Sequence, residues 1–262
     1  MTTPFVHDTP RDDGTAIRLG PEQASRRLVL LHGWGADADD LLDLALELLP
    51  QSGLSSAEQA QISLVALRAP LPHPAGSGRQ WYDLQQPEWP QLPAARLQLR
   101  ARLIALGTTV PLRQTALLGF SQGAAIALDV ATGDAAEPET AGRGPGSVRT
   151  ELAGADQEFE GSAQAALPLA ALISCSGYPH PDWRPQPLNK ELNRGGTTKV
   201  LLTHGEQDAV VPFAASEELE RLLKRAGYPV QRLAFSGGHG IDPGLLGAMG
   251  AFLAAGWRQA AA

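Results

Sequence analysis

Residues 115–123 read Thr115-Ala116-Leu117-Leu118-Gly119-Phe120-Ser121-Gln122-Gly123, and Ala124 opens an apolar stretch that runs to Val130. A short apolar run followed by glycine-spaced residues reads as a buried strand entering a turn, and the alanine-rich stretch as a helix leaving it. Ser121 then falls on the turn itself, where its hydroxyl stands at the tip of a sheet, clear of its own backbone. The glycines are there for steric reasons. A β-carbon two residues either side of the serine would collide with the strand or helix packed against it. Gly119-Phe120-Ser121-Gln122-Gly123 also reads as a glycine-rich junction whose serine caps the helix N-terminus.

Outward from that turn, short apolar runs alternate with longer helical patterns. Strands are expected at 16–19, 28–31, 63–67, 115–119, 170–174, 199–203 and 230–235, and helices at 40–49, 94–106, 124–130, 213–225 and 243–255. This alternation predicts an α/β fold with a mainly parallel central sheet and helices on both faces. In 94–106, Leu97, Ala101, Leu103 and Ile104 form the stripe expected to face the core, leaving Arg96, Arg100 and Arg102 toward water. The 213–225 pattern follows Pro212, with Glu217, Glu218 and Glu220 early and Lys224 and Arg225 late, an order that suits the helix dipole. Residues 133–167 break the rhythm, being rich in glycine and acidic side chains and poor in aliphatic ones. Such a stretch buries too little surface to offset its ordering entropy. A mobile surface insertion is expected there, within a single domain whose core runs from about residue 14 to about residue 257.

Composition narrows the function. The chain has 262 residues, 43% of them hydrophobic, enough for a full core. A net charge of −7 argues against a nucleic-acid partner. No apolar run is long enough to span a membrane, and residues 1–20 lack the apolar centre of a secretory signal. The single cysteine, Cys175, forbids an internal disulfide, and a cytoplasmic location is the expectation. His7, His73 and His180 have no partner at metal-ligand spacing, so no metal site is expected.

A serine hydroxyl becomes a nucleophile beside a general base, and the base needs a carboxylate to orient it. After the strand at 199–203 the chain reads His204-Gly205-Glu206-Gln207-Asp208-Ala209-Val210-Val211-Pro212, with Asp208 in the loop before a helix. After the strand at 230–235 it reads Ser236-Gly237-Gly238-His239-Gly240. Asp208 reads equally as a turn carboxylate, and His239 as a loop histidine whose flanking glycines let the ring approach another loop. Charge developing on a substrate oxygen also needs N–H donors. The amide of Gln122 is one, at a helix N-terminus, and the turn His32-Gly33-Trp34-Gly35-Ala36-Asp37 after the strand at 28–31 is suited to expose another. His32 itself reads as a structural, hydrogen-bonded histidine. Trp81, Tyr82 and Trp89 lie in a Pro- and Gly-rich stretch, 70–93, that reads either as a wall over the site or as packing plugs. Cys175 reads as a small buried side chain.

Five blocks then carry a resemblance: Leu31-His32-Gly33-Trp34-Gly35-Ala36-Asp37, Arg79-Gln80-Trp81-Tyr82-Asp83, Gly119-Phe120-Ser121-Gln122-Gly123-Ala124, the 204–212 block and Gly238-His239. They resemble the phospholipase/carboxylesterase family of the α/β-hydrolase superfamily, which includes small bacterial carboxylesterases and acyl-protein thioesterases. The resemblance implies Ser121 as nucleophile, Asp208 as orienter, His239 as base, and the backbone amides of Trp34 and Gln122 as oxyanion donors. It also implies a small-molecule ester or thioester with an apolar acyl chain as substrate, with no cofactor and no metal. Trp34, Trp81 and Tyr82 are the residues expected near that substrate, and a homodimer is compatible with it.

Three features depart from the family's pattern. Trp34 stands where leucine is usual, and its bulk is expected to favour short-to-medium acyl chains. Gly240 follows the histidine where Ser or Glu is more common, removing a side chain that could support the loop. The insertion at 133–167 lengthens the link from the serine's helix to the next strand. On the residues alone, a thioesterase, a lysophospholipase, a cofactor-free perhydrolase and a hydrolase-fold binding module without turnover all stay open.

Overall fold

Apolar runs five to seven residues long, buried on both sides, make the centre of the molecule. The computed structural model describes residues 9–133, 166–188 and 197–260, so 134–165 of the expected insertion lie outside the described residues. The chain forms β1 (Arg11–Asp12), β2 (Ala16–Leu19), β3 (Arg26–Leu31), α1 (Leu42–Leu48), α2 (Ser56–Gln59) and β4 (Ile62–Leu67). A short pair, β5 (Leu71–Pro72) and β6 (Arg79–Gln80), precedes α3 (Leu92–Leu106), β7 (Thr115–Phe120) and α4 (Gln122–Thr132). Then come β8 (Ala171–Cys175), β9 (Lys199–Gly205), α5 (Ala214–Arg225), β10 (Val230–Phe235) and α6 (Leu246–Ala260).

Eight strands form one sheet in the order β1-β2-β4-β3-β7-β8-β9-β10. Neighbours from β4 to β10 are parallel, while β2 joins β4, and β1 joins β2, antiparallel. Leu28 and Leu30 of β3 enter the core shared with α1 and α6, whereas Val29 and Leu31 enter the core shared with α3, α4 and α5. β4, β7, β8 and β9 divide their side chains the same way. Both faces are dry, which is why these strands read as continuous apolar runs rather than alternating ones. Parallel strands also place their C-terminal ends on one edge, so the turns after β3, β7, β9 and β10 gather there.

All seven expected strands are present, with no end shifted by more than two residues. The β1 edge strand, the β5–β6 pair and α2 are additions to the expected pattern. α2 carries a capping box: the Ser55 hydroxyl accepts from the Glu58 amide, and the Glu58 carboxylate accepts from the Ser55 amide.

The expected face of α3 is wrong. Leu92, Ala95, Leu99 and Leu103 are buried, while Leu97 and Ile104 face water. Arg96 is buried as well, with its Nε 2.5 Å from Asp129 Oδ2 and its Nη1 2.6 Å from Asp182 Oδ2. Carboxylates brought by α4 and by the turn at 181–182 make that burial possible, and the periodicity of α3 contains no trace of them. Arg102 is half-buried and donates to the carbonyls of Arg68 and Thr15 at 2.8 and 2.6 Å. Among the described residues no helix is long and apolar enough to cross a membrane.

Candidate active site

Ser121 sits between β7 and α4 with φ 52° and ψ −117°. Positive φ strains a non-glycine residue by about 1–3 kcal/mol, so the surrounding structure must impose it. The Ser121 amide donates to the Cys175 carbonyl at 2.9 Å, and its carbonyl accepts from the Ala125 amide at 3.0 Å. Ser121 occupies the N-cap position of α4, but its side chain makes no hydrogen bond to the helix N-terminus, so it does not perform the capping role that the bare pattern also allowed. Crowding at the flanking glycine is severe, since a β-carbon on Gly123 would lie 2.2 Å from the Leu31 carbonyl oxygen. The start of α4 can therefore press directly on the end of β3.

His239 lies between Ser121 and Asp208. Its Nε2 is 2.9 Å from Ser121 Oγ, and its Nδ1 is 2.7 Å from Asp208 Oδ2. The Asp208 side chain is fully buried, whereas that of His239 keeps 17% of its surface exposed. Asp208 Oδ1 accepts from the amides of Val210 and Val211 at 2.9 and 2.8 Å, so this carboxylate shapes its turn and orients the ring together. Burial by itself would raise the Asp208 carboxyl. The His239 hydrogen bond and the Val211 and Val210 amides outweigh it and hold the group below the usual carboxylate range. His204 Nε2 is 2.8 Å from the Val211 carbonyl oxygen and 3.3 Å from Asp208 Oδ2, which braces the same turn from below.

The His239 loop is pinned from two sides. The Gln207 amide donates to the Gly237 carbonyl at 2.9 Å, and the Ser176 hydroxyl donates to the Gly240 carbonyl at 3.2 Å. The expectation that Gly238 and Gly240 admit the close approach is corrected: both have room for a β-carbon. The crowded glycine is Gly205 at the end of β9, where a β-carbon would fall 2.3 Å from the Gly238 carbonyl oxygen.

The turn after β3 lies beside the serine, since a β-carbon on Gly33 would stand 3.6 Å from Ser121 Cβ. Among the described residues, neither the Trp34 amide nor the Gln122 amide donates to a protein acceptor. His32 is buried, with Nδ1 2.8 Å from the Gly33 carbonyl oxygen and Nε2 accepting from the Ala69 amide at 3.2 Å. Burial pushes its pKa down, which keeps the ring neutral in this structural role.

Trp34 is partly exposed. Its indole donates to Gln80 Oε1 at 2.8 Å, and its ring stands edge-on to His73. Trp81 and Tyr82, expected near the substrate, are 1% and 0% exposed. They are packing and hydrogen-bonding residues beneath the turn, because the Trp81 indole donates to the His32 carbonyl at 2.9 Å. Cys175 is buried, and burial pushes its thiol up to about 12. No His/Cys/Asp/Glu group among the described residues could hold a metal.

A second cluster has no signal in the spacing of the sequence. Tyr82 Oη lies 2.7 Å from His180 Nε2 and 2.6 Å from Tyr178 Oη, and His180 Nδ1 lies 2.7 Å from Asp129 Oδ2. Trp89 packs against Tyr82, Tyr178 and His180.

The sequence matches the family described as Serine hydrolase (FSH1) over residues 54–243. The chain belongs to that family. Among solved structures, this serine hydrolase is 27% identical to the esterase PE8, with a TM-score of 0.60 over 91% of this chain and 97% of that one. The Bacillus cereus carboxylesterase is 18% identical, with a TM-score of 0.64 over 92% of this chain and 93% of that one. Arabidopsis thaliana SOBER1 is 19% identical, with a TM-score of 0.56 over 87% of this chain and 97% of that one. The fold is that of the α/β hydrolases, as the five sequence blocks implied. No curated protein matches the chain in sequence.

Proposed function

We propose that this serine hydrolase is a carboxylesterase that works through an acyl-enzyme intermediate, built as one α/β-hydrolase domain. His239 takes the Ser121 proton as Oγ attacks the acyl carbonyl carbon. Asp208 holds the ring in the orientation that receives the proton and stabilises the imidazolium. The amides of Trp34 and Gln122 hold the tetrahedral oxyanion, assisted by the positive end of the α4 dipole. The alcohol leaves with the proton from His239. Water then attacks the acyl-enzyme, giving its proton to His239, and Ser121 recovers a proton as the acid departs. The observation that carries this reading is the continuous contact from Ser121 Oγ through both ring nitrogens of His239 to Asp208.

The substrate in this reading is a small-molecule ester with an apolar acyl chain, cleaved without cofactor or metal. Trp34 is carried by the donor turn itself, and in this reading its exposed ring limits the chain to short or medium length. Turnover of p-nitrophenyl esters of increasing length tests this, together with fluorophosphonate labelling of Ser121. Ser121→Ala is expected to abolish both while the circular dichroism spectrum is unchanged. Retention of turnover within tenfold of the parent would remove Ser121 from the mechanism. Higher kcat/KM on matched thioesters or lysophospholipids would reassign the substrate class and leave the machinery standing.

A further inference from the structure

An oxyanion is held only when both donor amides stand about 3 Å from one oxygen. The two amides assigned above come from different turns, one after β3 and one at the start of α4. Three consecutive residues tie these turns together. Gln80 Oε1 accepts from the Trp34 indole at 2.8 Å, and Gln80 Nε2 donates to the Pro72 carbonyl at 3.0 Å. The Trp81 indole donates to the His32 carbonyl at 2.9 Å, and the Trp81 amide donates to Gln122 Oε1 at 2.9 Å. Gln122 Nε2 donates to the Tyr82 carbonyl at 2.7 Å. Trp81, Tyr82, Gln122 and His32 are buried, so water does not compete for the bonds that Trp81 and Tyr82 make to His32 and Gln122.

We propose that the Gln122 side chain, clamped on Trp81 and Tyr82, sets the spacing between the Trp34 and Gln122 amides and so positions the oxyanion hole. The inference rests on the hydrolytic reading above. It makes the Gln122 amide side chain and the Trp81 indole positioning residues, distinct from the backbone N–H groups that touch the oxyanion. The chemistry of the clamp is specific. A primary amide accepts from one backbone group and donates to the next in a single plane, which neither a carboxylate nor an apolar chain can do.

The test compares Gln122→Met and Gln122→Glu with the parent on p-nitrophenyl acetate, with near-UV circular dichroism confirming that each is folded. Gln122→Met keeps the backbone amide and loses both clamp bonds. Its kcat is expected to fall about 10–100-fold with KM within about threefold, because a small misplacement of a donor weakens transition-state binding more than substrate binding. Gln122→Glu adds a readout that a merely structural role would not move. As the carboxylate it can accept from Trp81 but repels the Tyr82 carbonyl. As the neutral acid it donates to Tyr82 and accepts from Trp81, restoring the clamp. The ratio of its kcat to that of the parent should therefore climb as pH falls, while the ratio for Gln122→Met stays level. A folded Gln122→Met with kcat within threefold of the parent, or ratio profiles that run parallel for the two variants, would overturn the proposal. Ser121→Ala in the same assay separates the two ideas. If it retains turnover the hydrolytic reading and the clamp fall together; if it is inactive, only the Gln122 results bear on the clamp.

Discussion

Two chains of hydroxyl, imidazole and carboxylate lie in this molecule, Ser121–His239–Asp208 and Tyr82–His180–Asp129, with near-equal spacings. The first spans 2.9 and 2.7 Å and the second 2.7 and 2.7 Å. Their surroundings differ. Ser121 sits on a strained turn beside two amides without protein acceptors and keeps part of its surface open, and His239 shows 17% of its side chain. Tyr82 and His180 are sealed, and Asp129 is held by Arg96. Burial, with the neighbouring Tyr178, pushes the Tyr82 hydroxyl far above the usual tyrosine range, so it cannot ionise. Proximity of three groups is therefore not machinery. What distinguishes the first chain is its partial exposure and the two neighbouring amides left without protein acceptors, the features on which the proposed hydrolysis rests; the second ties α3, α4 and the 178–182 segment into one buried brace.

Matched substitutions should separate the two most sharply at the carboxylates. Asp208→Asn removes the acceptor that orients His239, and kcat is expected to drop on the order of 10⁴-fold with the fold retained. Asp129→Asn should act on stability instead. Among the described residues it leaves the buried Arg96 with the exposed Asp182 as its one carboxylate, and a destabilisation of about 3 kcal/mol is expected from chemical denaturation. Its kcat should stay within about tenfold of the parent. If Asp129→Asn proved as damaging to turnover as Asp208→Asn while remaining folded, the division between site and brace would fail.

Cys175 extends the comparison to a third potential nucleophile. It lies directly beneath the serine turn, its carbonyl accepting from the Ser121 amide. Burial disables it as it disables Tyr82, since a thiol pushed up to about 12 is protonated at neutral pH. Iodoacetamide should react with the native protein at least about 100-fold more slowly than with the denatured chain, because reaction waits for opening. Rapid native alkylation would show that the floor of the turn is open.

The same contrast explains what the sequence reveals. Ser121, Asp208 and His239 are legible because each stands one turn beyond a recognisable apolar strand, so local spacing puts all three on one edge of a parallel sheet. Tyr82, His180 and Asp129 have no such register, being joined only by the packing of α3 and α4 against the loops at 80–89 and 178–182. For that reason the pattern sends Arg96 to water, and Trp81 and Tyr82 to the substrate. It likewise places the glycine needed for the His239 loop beside the histidine, but the close approach falls at Gly205, on another strand. Chemistry carried by element ends can be read; chemistry carried by contacts between elements cannot.

The smallest expected effect sharpens the comparison at acid pH. Burial works against ionised Asp208, yet His239 and the Val211 and Val210 amides hold its carboxyl below the usual range. The unfolded chain therefore takes up the Asp208 proton at a higher pH than the native protein does. Between those two values the unfolded state binds more protons, so stability rises with pH there. This contribution is complete above the unfolded aspartate value of about 3.9 and is lost as pH falls through the lower native value. Asp208→Asn cannot titrate. Thermal unfolding followed from about pH 5 to about pH 2 should give a Tm for the parent that falls more steeply than that of the variant, by a few degrees over the range. Other depressed carboxylates, such as Asp12 and Asp13, are common to both proteins and cancel in the difference. Parallel curves would mean that the imidazole and amides do not favour the ionised carboxylate, and the electrostatic half of the distinction between the two chains would be lost.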